Sequence, residues 1–596
     1  MSGRDESTNP FSLLADETRL GIVEAIGDRS GDGEYASLSY STIQTALGEV
    51  DSGRLNYHLR QLEGRFVEHT DDGYRLLIPG IRVYQAVTSG QLAADRPTVP
   101  PTEIDSPCGD CGDPLFVSYE EGRVFVRCPT CDVTYHRYPL SPSAFDPGDA
   151  ASLADAGLTV AFADLRSMLA GVCPYCSGVV ECTLSADDRG DLGLEGPETF
   201  AHLTCSTCGW FNHPQATMAT YLHHTTAVFY ERHGRAAPHS RLTVEGEWSE
   251  TVRSTDPWRV EVRVTLDGDT LRHVVDENLD VVEWEVDGWG TTRQRPAKHG
   301  RRAVTLDRTA STASGESPFS LLADETRLGI VEAIGDRSGD GEYASLSYSE
   351  VRAALDGVDT GNLNYHLRKL RGRFVERTDD GYRLLIPGIR MYQAVASGQF
   401  AGDRPTVPPT EVDSRCEGCE EPVQVAYEDG RFFVRCPTCE VTQIRYPLSP
   451  NAVDPTDVDG LVSVAMTKIH LDLRSMLDGL CPYCSGAVHH DVSTADRGDL
   501  GLDERDAFAH LTCSTCGWFN HPAVEMVAFH HHATEQFYEE RGRPGHYTRP
   551  NVDGELEVTV ESEDPWRIEV RVTLDGDTLR HVVDGDLDVV EWEVVD

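Results

Sequence analysis

Residues 54–68 read RLNYHLRQLEGRFVE. Leu55, Leu59 and Leu62 fall at i, i+4 and i+7, so a helix through this stretch gathers them on one face. The opposite face is then fixed: it carries Arg54, Tyr57, Arg60 and Gln61, with Asn56 on one flank and His58 nearer the buried side. FVEHTDDGYRLLIPG continues as two extended stretches joined at DDG, a hairpin that projects Arg75 or its neighbours. Upstream, LLADETRLGIVEAIG spaces Leu14, Leu20, Ile22, Val23 and Ile26 as a helix does, with Asp16 and Thr18 supplying polar groups around its start. LSYSTIQTALG reads as a second short helix, and the break at Gly48 to Gly53 places the third over 52–63.

The whole pattern occurs twice. FSLLADETRLGIVEAIGDRSGDGEYASLSYS at 11–41 recurs letter for letter at 319–349, and the offset of 308 holds through VVEW near the end of each copy. In the second copy the polar face becomes Asn362, Tyr365, Arg368 and Lys369, with Asn364 and His366 retained and Arg383 at the hairpin. Gln61 is replaced by Lys369 and Glu63 by Arg371, so the second face is the more basic.

Three helices and a hairpin in this order resemble a winged helix-turn-helix. LADETRLGIVEAI, LNYHLRQL and RFVEHTDDGYRL are similar to the first helix, recognition helix and wing of the ArsR-like regulator family, a resemblance that covers residues 11–95 of the first copy. It implies that helix 52–63 enters the major groove of double-stranded DNA, with Asn56 and Gln61 on base edges and Arg54 and Arg60 on bases or phosphates. Tyr57, His58 and Arg75 complete the expected contact set, and their second-copy counterparts do the same. No CxC-type pair stands in these helices, so the resemblance does not extend to arsenite-type sensing. ArsR-like proteins work as dimers, and a tandem duplication supplies two readers in one chain. The expectation is a monomer acting as an intramolecular pseudo-dimer, its linker holding the second reader at high effective concentration.

The cysteines form a second pattern. Cys108-x2-Cys111 and Cys128-x2-Cys131 lie sixteen residues apart, as do Cys416-x2-Cys419 and Cys436-x2-Cys439. Paired knuckles around a hairpin put four thiolates at the corners of a tetrahedron, the geometry zinc takes. Each copy then carries CPYC, at 173–176 and 481–484, followed after twenty-eight residues by CSTC, which supplies Cys205 and Cys208 or Cys513 and Cys516. CPYC is also the redox site of glutaredoxins, where a strand precedes it and a helix begins there to lower the thiol pKa. Here ADLRSMLAG is helical before Cys173 and SGVVEC extended after Cys176, so four structural Zn2+ sites, each closed by four cysteines, are the favoured reading and thiol exchange the alternative. Cys182, opposite His490, reads as a free thiol. YLHHTTAVFYERHG brings His223, His224 and His233 together, but adjacent histidines on one helix point in different directions, so the pair alone makes no chelate.

The expected fold class is thus α+β and multidomain. A disordered tail (1–10) leads to a winged helix (11–95), a zinc ribbon (104–141), a helix with a second ribbon and helix (150–235) and a small antiparallel β domain (240–287). After a linker (288–318) the order repeats as 319–403, 412–449, 458–543 and 550–596.

Composition bounds the rest. No apolar run reaches the ~18 residues that span a bilayer, and MSGRDESTNP lacks a signal-peptide pattern, which together indicate a cytoplasmic protein with no membrane partner. Seventeen cysteines in that compartment point to metal or redox chemistry. The net charge of −47, with lysine only at 298, 369 and 468, resembles haloarchaeal proteins. In molar salt the Debye length is only ~3 Å, so distant carboxylates hardly repel DNA. Walker, dinucleotide, GxSxG and HExxH patterns are absent from the sequence, so no catalytic site is expected. Winged helix followed by zinc ribbon is also similar to the alpha subunit of archaeal transcription factor E, which makes RNA polymerase the alternative partner.

Overall fold

Pro10 and Pro318 open the first helix of each copy, where the missing proline N–H would have had no intrahelical partner. The computed structural model describes residues 9–28, 37–48, 50–93, 96–186, 199–240, 242, 244–287, 317–337, 345–355, 358–401, 404–416, 418–494, 507–543 and 553–595. Residues 1–8 of the expected tail and 288–316 of the expected linker lie outside the described residues.

The single helix expected from residue 13 splits in two, α1 (Pro10–Leu14) and α2 (Glu17–Gly27). Asp16 causes the break: its carboxylate accepts from the Thr18 and Arg19 N–H groups and so caps α2. Ser39 caps α3 (Tyr40–Ala46) and Asp51 caps α4 (Ser52–Leu62) in the same way. The hairpin follows as β1 (Val67–Thr70) and β2 (Gly73–Leu76), and then α5 (Ile78–Thr88) returns across α2. Gly27 is required at that crossing, because a Cβ there would lie 2.4 Å from the Tyr84 ring.

The first ribbon is a meander of β3 (Val99–Pro107), β4 (Pro114–Glu120), β5 (Arg123–Cys128) and β6 (Val133–Pro139). The helix expected at 160–171 begins ten residues earlier, as α6 (Ala150–Leu169), and leads into the second ribbon, β7 (Val180–Ser185), β8 (Phe200–Cys205) and β9 (Phe211–Asn212). Two helices follow where one was expected, α7 (Ala216–Tyr221) and α8 (His224–Arg232). The last sheet has four strands, β10 (Glu247–Thr255), β11 (Trp258–Leu266), β12 (Asp269–Val275) and β13 (Val281–Asp287).

The second copy repeats the order as α9 (Pro318–Leu322), α10 (Glu325–Gly335), α11 (Tyr348–Ala354), α12 (Thr360–Leu370), β14 (Val375–Arg377), β15 (Tyr382–Leu384) and α13 (Ile386–Ala396). Its ribbons are β16 (Val407–Arg415) to β19 (Val441–Pro447), α14 (Val458–Leu477), and β20 (Val488–Ser493) to β22 (Phe519–Asn520). It ends with α15 (Glu525–Phe529), α16 (His532–Glu539) and the sheet β23 (Glu555–Glu563) to β26 (Val589–Val595). The protein is therefore mixed α and β, duplicated, and built mainly on antiparallel sheets. No described helix is long and apolar enough to cross a membrane.

The copies dock on each other through contacts that recur with the roles exchanged. Arg65 donates to the Phe400 carbonyl at 2.8 Å, and Arg373 to the Leu92 carbonyl at 3.1 Å. Trp284 Nε1 donates to Glu539 and Trp592 Nε1 to Glu231, each at 3.2 Å. One apolar cluster runs through both copies, with Phe11 and Phe319 stacked at 6.0 Å between ring centres. This is the contact pattern of a two-fold dimer, in which i meets j and j meets i, here inside one chain.

Candidate nucleic-acid interface and metal centres

The leucine face of α4 is fully used. Leu55, Leu59 and Leu62 are at most 1% exposed, as are Ile22, Val23 and Ile26 of α2. Burying three leucines this completely contributes about 1.5–3 kcal/mol each and fixes which side of the helix meets water. Arg54, Asn56, Tyr57, Arg60 and Gln61 lie on that outer side, and Asn362, Asn364, Tyr365, Arg368 and Lys369 on the outer side of α12. Tyr57 is 58% exposed and Tyr365 44%, large rings that the fold itself does not bury. Arg54 is steadied by donating to Thr18 Oγ1 at 3.2 Å. In the second copy Asn362 Oδ1 sits 2.9 Å from His366 Nε2, and Asn364 Nδ2 donates to the Thr360 carbonyl.

One pair in the expected contact set needs correction. His58 and His366 are only 5% exposed, and their Nδ1 atoms face the capping carboxylates Asp16 and Asp324 at 3.7 and 3.4 Å. The fourth position after Arg54 or Asn362 turns inward, so these histidines brace α4 and α12 against α2 and α10 and do not face outward. Arg75 and Arg383 reach the surface, as expected, with each Nε 2.5 Å from Glu68 or Glu376 of its own hairpin.

All sixteen knuckle cysteines gather as expected, into four groups that could hold metal ions: Cys108, Cys111, Cys128 and Cys131; Cys173, Cys176, Cys205 and Cys208; Cys416, Cys419, Cys436 and Cys439; and Cys481, Cys484, Cys513 and Cys516. Sγ–Sγ separations between facing knuckles run from 3.4 Å for Cys176 with Cys205 to 3.9 Å for Cys416 with Cys439. Thiolates ~2.3 Å from a tetrahedral ion stand ~3.8 Å apart, whereas a disulfide would bring them to ~2.05 Å. The thiols fit a metal and do not fit oxidation to pairs. The two ribbons differ in access: Cys111 and Cys439 are exposed, while all four cysteines of each second ribbon are buried.

The tyrosine of CPYC has its own task. Tyr175 and Tyr138 both donate to Asp164 of α6, Tyr138 at 2.8 Å, and burial raises the Asp164 carboxyl against those donors. The Arg390 guanidinium of α13, in the other copy, lies 3.6 Å from the Tyr175 ring centre. In the mirror arrangement Tyr446 and Tyr483 donate to Asp472 while Arg82 of α5 covers Tyr483 at 3.7 Å. The motif thus joins each second ribbon to the opposite copy, across a cavity of about 120 Å3 that Arg82, Arg390, Tyr175 and Tyr483 help to line.

Cys182 is a free thiol, as expected, and half-buried. Its Sγ donates to the Glu277 carbonyl at 3.6 Å, and burial, with Asp276 and Asp280, pushes the thiol up to about 11. The histidine pair departs from expectation. His223 is the N-cap of α8 and not part of its helix, so its ring comes up against that of His224, 4.1 Å between centres and tilted by 35°. A carboxylate from the other copy completes the group, which no local pattern around YLHH could have disclosed.

Two family models match the chain, each of them twice. The domain of unknown function DUF7347 matches residues 7–87 and 315–395, the helical segment with its hairpin, and the domain of unknown function DUF7351 matches 105–281 and 413–589, from the first ribbon into the terminal sheet. No curated protein and no solved structure matches.

Proposed function

The chain belongs to the DUF7351 family, and we propose that it is a DNA-binding transcriptional regulator of winged helix-turn-helix type, working as a single-chain pseudo-dimer. The observation that carries this reading is the pair of outward ridges on α4 and α12, each with an arginine, an asparagine and an uncovered tyrosine on a helix whose other face is entirely buried. The fold leaves these side chains exposed, which supports a surface open to a partner. Arg60 and Arg368 take guanine edges or phosphates; Asn56 and Asn364 suit adenine. The exchanged contacts between copies present the two ridges as a homodimer would, which supports recognition of an imperfect inverted repeat.

Zinc is the metal proposed for the four cysteine groups, since tetrahedral thiolate sets suit it and closed sites leave no position for catalysis. In CPYC, Cys173, Cys176, Cys481 and Cys484 are at most 1% exposed, which supports a structural role over thiol exchange.

The test is footprinting of the full chain on duplexes selected from a random pool, in molar salt. Two protected half-sites that vanish in an Arg60→Ala, Arg368→Ala double variant are expected. Co-purification with RNA polymerase and no protected duplex would move the ridges to protein docking.

A further inference from the structure

Outside the cysteines, the densest group of metal-ligating side chains lies where α8 meets α16 across the two copies. His224 Nε2 stands 2.6 Å from Glu539 Oε2. His532 Nε2 stands 2.8 Å from Glu231 Oε2, the same contact with the copies exchanged. His223 and His531 lie against these histidines with ring centres 4.1 and 3.9 Å away, and His531 Nε2 is 4.0 Å from Glu231 Oε1. His224, His531, His532 and Glu231 are all nearly buried, with side chains 10%, 12%, 14% and 5% exposed.

The geometry of the close contacts is informative. Neither the Nε2 of His224 nor that of His532 makes a hydrogen bond among the described residues, although a carboxylate oxygen is within 3 Å of each. In each case the oxygen lies off the ring N–H direction, so two buried ligand atoms stand side by side with no hydrogen bond aligned between them. The carboxylates are also held from behind, Glu539 by Trp284 and Glu231 by Trp592 of the terminal sheets.

We propose that the two groups, His223–His224–Glu539 and His531–His532–Glu231, are divalent transition-metal sites formed between the copies. Two imidazoles and one carboxylate are a donor set that zinc, cobalt and nickel accept. Because each site takes its carboxylate from the opposite copy, occupancy ties the halves together. The sites lie apart from the cysteine groups and from α4 and α12, so they stand or fall independently of DNA binding.

The sites are not equal. At the first, His223 Nδ1 is 2.7 Å from the Thr225 hydroxyl, which is itself 2.7 Å from His273 Nε2. That chain, with the Thr225 N–H from which His223 Nδ1 accepts at 3.4 Å, fixes the orientation of the His223 ring. At the second, Ala533 stands where Thr225 stands in the first. The first site also has Glu535 4.0 Å from His224, itself paired with Arg474, where the second has Ala227. The first site therefore binds the tighter.

Cobalt(II) titration of the full chain, its thiolate groups already filled with zinc, tests this. Two further ions per chain are expected, with visible d–d bands and no thiolate charge-transfer band. Glu539→Gln and Glu231→Gln each remove one ion, His224→Gln with His532→Gln removes both, and Thr225→Ala weakens the tighter site about tenfold. Retention of four zinc ions by each variant verifies its fold. Uptake that stops at four ions, or that is unchanged in the glutamate variants, overturns the proposal.

Discussion

The Arg390 guanidinium covers the ring of Tyr175 at 3.6 Å, so the second residue after the first cysteine of a metal knuckle is clasped by a helix of the other copy. With Arg82 over Tyr483 it makes two clasps, each ending on a buried carboxylate, Asp164 or Asp472. The second ribbons are therefore parts of the docking surface and not appendages.

Arg82→Ala with Arg390→Ala should lower the stability of the chain by about 1–4 kcal/mol, the sum of two partly desolvated cation–ring contacts. Tyr175→Phe should cost about 1–3 kcal/mol by depriving Asp164 of a donor. Urea unfolding measures both, and a double variant with the parent's midpoint would show that the clasps hold nothing.

Chelation should act in two stages. The first ribbons expose Cys111 and Cys439 and should give up their ions first, while the second ribbons bury all their thiols and should lose metal only with global unfolding. Metal release followed beside far-ultraviolet circular dichroism separates the stages; simultaneous release of all four would contradict the difference in access.

At the recognition ridges, Arg60→Ala with Arg368→Ala should weaken operator binding by roughly 2–6 kcal/mol, two contacts of ~1–3 each, and leave the melting temperature unchanged. His58→Ala should do the reverse, destabilising the helix packing through the loss of a side chain only 5% exposed. Binding isotherms and thermal melts on the same samples tell the two effects apart.

In the terminal sheet, burial alone would raise the Glu261 carboxyl, but Arg253, Arg272 and Arg263 outweigh it and hold the group at about 2. A folded pKa below the unfolded value means stabilisation that is complete above pH ~4.5 and lost as the pH falls through about 2. Glu261→Gln should cost on the order of 1–3 kcal/mol at neutral pH and flatten that acid limb. Stability measured from pH 6 to 2 in parent and variant is the check.

The helix at 54–62 and the cysteine groups were legible because each has a local period: leucines every three or four residues, cysteines paired three positions apart. α5 escaped notice because Pro79 and Gly80 look like breakers, though proline suits a first helical turn. The start of β3 was hidden by Pro100 and Pro101, which an edge strand tolerates on its open side. That the copies pair was expected, but the residues that dock them could not be read, since Arg82 and Tyr483 meet through packing that leaves no periodic trace. The contact of His223 with His224 depended on a helix break, and the adjacent pair read as one helix conceals it.

The two halves are joined covalently, and that frees them from a constraint on identical subunits. In a homodimer every substitution is made twice and lands on both sides of the axis. Here Lys468 pairs with Asp472 where the other half has Val160, and Lys369 stands where the other half has Gln61. A gene that encodes both halves at once lets each side drift toward its own neighbour while inheritance keeps them in one-to-one supply.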